Sequence, residues 1–137
     1  MGARRKAREL ALQMLYQHDL SGNAPETIVT TFEELQKSKP NTREFAVKIF
    51  LGTVEHMARI DEMLTAQADN WRLSRMAAVD RNIIRMSIYE FLHETDTPKL
   101  VIIDEAIEIA KKFGTQKSSQ FINGILDGIL KRYNLAS

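Results

Sequence analysis

A chain of 137 residues, 44% hydrophobic and 27% charged, is long enough to bury one ordinary core and too apolar to stay disordered. It has no cysteine, which excludes a disulfide framework and thiol chemistry and fits a reducing compartment. No apolar run approaches the ~18 residues of a membrane span, and no secretory apolar stretch follows the charged start, so the expected location is the cytoplasm, away from membranes. The net charge of +1 hides a polarity: residues 1–8 carry four cations and no acid, residues 109–137 five cations against one acid, and the stretch between them ten cations against seventeen acids. Provided the termini meet in space, such a distribution suits a basic end for a polyanion and an acidic body for a basic partner.

The first helix is predicted from about Ala3 to Leu20, stopping at Ser21-Gly22-Asn23. Ala7, Leu10, Ala11, Met14 and Leu15 recur at three and four and would dock it on a core. Arg4, Arg5, Lys6 and Arg8 crowd its positive dipole end, where each cation costs up to ~1 kcal/mol. A cluster placed against the dipole points to a basic arm with a use outside the helix, or else to a solvated terminus. Pro25-Glu26 opens a second helix carrying Ile28, Phe32 and Leu35, and residues 37–40 break it. Asn41-Thr42 is the predicted cap of a third helix, and the apolar period runs on through Ala68 with a bend or break between His56 and Asp61, which makes two successive helices.

Residues 69–74 close this half, with Ser74 as a candidate cap. Residues 76–92 are apolar on more than one side and belong in the middle of a bundle. After Thr97-Pro98, residues 99–113 form another helix, with Lys111 and Lys112 late and Gly114 at the expected stop. Ser118 or Ser119 caps the last helix, in which Gly124 and Gly128, four apart, imply a close neighbour. The expected fold is all-α, about seven helices with short loops in one domain.

Chemistry is sparse. His18, His56 and His93 have no metal-ligand spacing, and Glu33-Glu34, Asp61-Glu62 and Asp104-Glu105 diverge on their helices and read as solvated faces. No phosphate loop or nucleophile motif occurs, so neither an enzyme nor a cofactor is expected. Tyr16, Phe113 and Phe121 are either core residues or platforms for unpaired bases beside a basic surface.

Residues 3–9 with Ala11-Leu12-Gln13-Met14-Leu15-Tyr16, then Asn70-Trp71, Val79-Asp80-Arg81-Asn82-Ile83-Ile84-Arg85 and Tyr89-Glu90, then Asp104-Glu105-Ala106, Lys112-Phe113-Gly114, Ser118 and residues 121–127 together resemble the bacterial NusB transcription antitermination family. The match runs in order over nearly the whole chain, with Asp104 where that family often has asparagine. The resemblance implies two helical subdomains, roughly 1–70 and 71–137. It also implies binding of boxA-type single-stranded RNA together with the ribosomal protein NusE, in the service of an RNA polymerase elongation complex. It carries RNA contact to Arg4, Arg5, Lys6, Arg8, Tyr16, Phe113, Gln116, Lys117 and Phe121, and contact with the partner to Asp80. The competing reading is a helical protein-interaction module that does not touch RNA.

Overall fold

The computed structural model describes residues 2–68 and 72–135. Asp69, Asn70 and Trp71 lie outside the described residues, so the Asn70-Trp71 element of the resemblance has no structural counterpart below. Contacts divide the chain into two units, residues 1–55 and 56–137. The expected boundary near residue 70 follows the loop, whereas packing groups the helix before it with the second unit. Among the described residues the elements are eight α-helices and one 3-10 turn, in keeping with the all-α expectation.

The first unit contains α1 (Ala3–Ser21), α2 (Pro25–Thr31), α3 (Glu33–Gln36) and α4 (Pro40–Glu55). α1 ends where Gly22 adopts φ 74°, a left-handed turn open to glycine at little cost, and the Gly22 N–H donates to the His18 carbonyl at 3.0 Å. The expected stripe is buried: Ala7, Leu10, Ala11, Met14 and Leu15 are each at most 1% exposed. They pack chiefly on α4, which contributes Ala46, Ile49 and Phe50, all fully buried. Burying each large apolar side chain here is worth about 1.5–3 kcal/mol, which is why spacing alone located the helix.

Two local expectations shift. The helix predicted from Pro25 is interrupted at Phe32, whose ψ of 103° is extended. The Thr30 and Thr31 hydroxyls bond back to the Glu26 and Thr27 carbonyls at 3.1 and 2.7 Å, and Gln36 donates to the Val29 carbonyl at 2.6 Å, so side chains satisfy the broken end. α4 begins at Pro40, one residue before the expected Asn41-Thr42 cap, because a first helical position needs no N–H.

The second unit holds α5 (Met57–Gln67), a 3-10 turn (Leu73–Arg75), α6 (Ala78–His93), α7 (Lys99–Phe113) and α8 (Ser118–Arg132). α5 belongs here because it packs on α6 and α8. Every residue of α6 from Asn82 to Phe91 is buried, as a central helix requires. Its polar members have partners: Asn82 donates to the Ala78 carbonyl at 2.9 Å and Ser87 to that of Ile83 at 2.8 Å. Arg85 donates to both oxygens of Asp61 on α5, at 2.8 and 2.9 Å. Asp61 is thus tied to the core instead of lying on a solvated face as its acidic neighbour suggested.

The glycines also differ from expectation. Gly114 is extended (φ −98°, ψ −165°), not left-handed; it is glycine because a Cβ would sit 2.5 Å from the Ser118 hydroxyl. That hydroxyl accepts from the Thr115 N–H at 2.9 Å and locks the α7–α8 turn, while Ser74 lies within the 3-10 turn and caps no helix. Gly128 does have a close neighbour, since a Cβ there would meet the Gln67 amide at 2.1 Å, but Gly124 faces open space.

Candidate nucleic-acid interface

The basic arm is built by α1. Its first turn holds no acid and its N-cap, Gly2, supplies no side-chain hydrogen bond, so neither a capping group nor a first-turn carboxylate offsets the cations. Arg4 and Lys6 are exposed, Arg5 is half-buried, and Arg8 is buried at 4% exposure. Arg4 sits 4.2 Å from the centroid of the Phe45 ring on α4, and Arg8 lies 5.5 Å from the same ring. A cleft of about 430 Å³ opens beside them, lined by Ala3, Arg4, Asn41, Glu44, Phe45 and Lys48. Tyr16 is 40% exposed and stands about 18 Å further along the helix axis, so it is separate from this cluster.

The second unit presents a smaller, mostly apolar pocket of about 240 Å³, lined by Arg75, Met76, Ala77, Asp80, Thr115, Lys117 and Phe121. Arg81 holds its rim: the guanidinium donates to the Leu73 carbonyl at 2.8 Å and to that of Met76 at 3.1 Å, pinning the 3-10 turn to α6. Across the pocket, the Ser118 bond to Thr115 fixes the loop that carries Lys117. One oxygen of Asp80 is buried and has no hydrogen-bond partner. Asp80, Lys117 and Phe121, which sequence assigned to two different partners, thereby share one pocket. Phe113, half-buried with the Lys112 ammonium 5.4 Å from its ring, and Gln116, exposed, do not line it.

Sequence reasoning missed Phe45, Lys48, Arg75 and Met76. Phe45 was legible only as an apolar position of its helix, and its pairing with arginines distant in the chain leaves no periodic trace.

The NusB family model matches residues 5–131 of this chain. The chain belongs to the NusB family. It is 52% identical to the transcription antitermination protein NusB of Trichlorobacter lovleyi over 128 residues, covering 93% of this chain and 89% of that protein. Among solved structures, T. maritima NusB superposes with a TM-score of 0.86 at 38% identity, covering 93% of this chain and 90% of that one. A crystal structure of the antitermination factors NusB and NusE in complex with dsRNA matches with a TM-score of 0.86 at 28% identity, over 97% and 99% of the two chains. No helix among the described residues is long and apolar enough to cross a membrane.

Proposed function

We infer that this chain is an RNA-binding transcription antitermination factor that loads with NusE onto boxA-type RNA and acts, without catalysing a reaction, on an RNA polymerase elongation complex in the cytoplasm, supporting transcription and maturation of ribosomal RNA. The observation that supports this reading is that family-matched residues lie beside a polar cleft on the first unit and an apolar pocket on the second. Arg4, Arg5 and Lys6 supply positive charge at the start of α1, with Arg8 behind them over Phe45. In the second unit, Phe121 offers an aromatic face, Lys117 a cation and Asp80 a carboxylate at one pocket. NusE enters by resemblance, and the carboxylate of Asp80 at the lining of the pocket suits a basic side chain of a protein partner. Tyr16, Phe113 and Gln116 complete the RNA contacts in this reading.

The test is binding of a boxA-type single strand, with and without NusE, across a salt series. Affinity that falls with salt at a log–log slope of ~0.7 per neutralised phosphate, and that strengthens with NusE, is the expected result. Absence of RNA binding in both conditions would leave the helical interaction module as the surviving reading. Asp80→Ala should weaken NusE binding roughly tenfold, as a lost charged hydrogen bond implies, and RNA binding alone much less. Unchanged NusE affinity at low salt would remove Asp80 from the interface.

A further inference from the structure

The cleft at the start of α1 draws four of its six lining residues from α4, a helix to which neither the sequence motifs nor the family resemblance gave any role in binding. Its geometry is specific. Arg4 makes no ion pair with any carboxylate among the described residues; what holds its guanidinium is the Phe45 ring at 4.2 Å. A guanidinium seated on an aromatic face is restrained without using up its N–H donors, and those donors match a phosphate in pairs. Lys48 follows Phe45 by three residues and Asn41 precedes it by four, so both project from the same side of α4 and line the same cleft. Glu44 is the one acid in the lining. With Arg4 and Lys48 against Glu44, the lining carries a single net positive charge, which matches one phosphodiester.

We propose that this cleft is a backbone-phosphate site for the RNA strand, in which Arg4 and Lys48 bind the phosphate and Phe45 is a positioning residue that holds Arg4 ready. The proposal rests on the reading of α1 as an RNA-contacting arm and extends it onto α4. At about 430 Å³ the cleft has the size of an ordinary ligand pocket, with room for a phosphate and the adjoining sugar.

Binding of the boxA-type strand with NusE present, followed by fluorescence anisotropy across a salt series, tests it. Lys48→Gln should make the salt slope shallower by ~0.7 and lower affinity several-fold at low salt, while Glu44→Gln should raise affinity. Phe45→Leu should lower affinity roughly two- to fivefold, Phe45→Tyr should restore it, and Phe45→Leu should cost clearly less once Arg4→Gln is present, the remainder acting through Arg8 over the same ring. A Phe45→Leu loss of the same size in both backgrounds would make Phe45 a packing residue and overturn its positioning role. Lys6→Ala, on α1 outside the cleft, separates the two levels. A shallower slope for Lys6→Ala with an unchanged slope and affinity for Lys48→Gln would overturn the cleft and leave the arm standing. No change in either variant would bring down the reading of α1 itself, and the cleft with it. Displacement of the strand by inorganic phosphate beyond that by chloride at equal ionic strength would reassign the cleft to a free anion and overturn the phosphodiester assignment.

Discussion

The cleft beside α1 and α4 and the pocket beside α6 and α8 are built from opposite materials. The first is polar and open-handed: two cations, an amide and an acid around a ring that serves the cations. The second is mostly apolar, with Met76, Ala77 and Phe121 forming its floor and Arg75, Lys117 and Asp80 its charged members. Phosphates held by oriented cations are bound whatever base they carry, whereas an apolar pocket with an aromatic face discriminates among the groups that enter it. The first unit is therefore suited to affinity and the second to selection.

The largest effect we expect tests whether the second unit's pocket depends on its internal tie. Arg85→Ala should lower stability by about 3 kcal/mol, the lower end for a broken buried pair, since Asp61 retains 24% of its side-chain exposure. The paired change of Arg85→Met with Asp61→Leu should recover most of it in a denaturant titration. A loss below ~1 kcal/mol for the single change would mean that the pair is solvated in effect. Next, Phe121→Ala should weaken RNA binding by ~1–3 kcal/mol with little change in salt slope, as loss of a stacked base predicts. A slope that falls along with the affinity would erase the contrast between the two sites.

Lys6→Ala should act in the opposite way: the slope becomes shallower by ~0.7, while stability holds or rises by a few tenths of a kcal/mol as a cation leaves the wrong end of a helix. A change in melting temperature with no change in slope would return Lys6 to a structural role. The smallest effect concerns neither site. Gly124 sits inside α8 with open space where its Cβ would be, so Gly124→Ala should stabilise the chain by up to ~1 kcal/mol and leave RNA affinity alone. Weaker RNA binding in that variant would extend the selecting surface onto the exposed side of α8.

Much of the fold was readable because helix burial writes itself into the sequence at three and four. The stripe of α1, the buried girth of α6 and the span Lys99–Phe113 all followed from that period and from prolines and glycines at the ends. What was not readable depends on pairs distant in the chain. The Asp61–Arg85 tie spans 24 residues, and nothing in Asp61-Glu62 distinguishes a tied acid from a solvated one. The reason Gly114 is glycine lies in a hydroxyl four residues on, not in its own backbone angle. For the candidate sites, the basic cluster was visible as a violation of the dipole rule, Phe121 as an aromatic open to a core or a stacking role, and Asp80 and Lys117 only through resemblance. That the last three share a pocket with Arg75 and Met76 is a product of tertiary packing.

The dependence of α1 on α4 also has a consequence in time. Synthesis proceeds at ~5–20 residues per second, so roughly 2–7 s separate completion of α1 from completion of α4. During that interval Leu10, Met14 and Leu15 lack the surface on which they mainly pack, and Arg4 has no Phe45 beneath it. A nascent chain thus exposes an apolar stripe beside a cluster of positive charge while still on the ribosome, itself a polyanion, and the arm takes its oriented form when residue 55 has emerged.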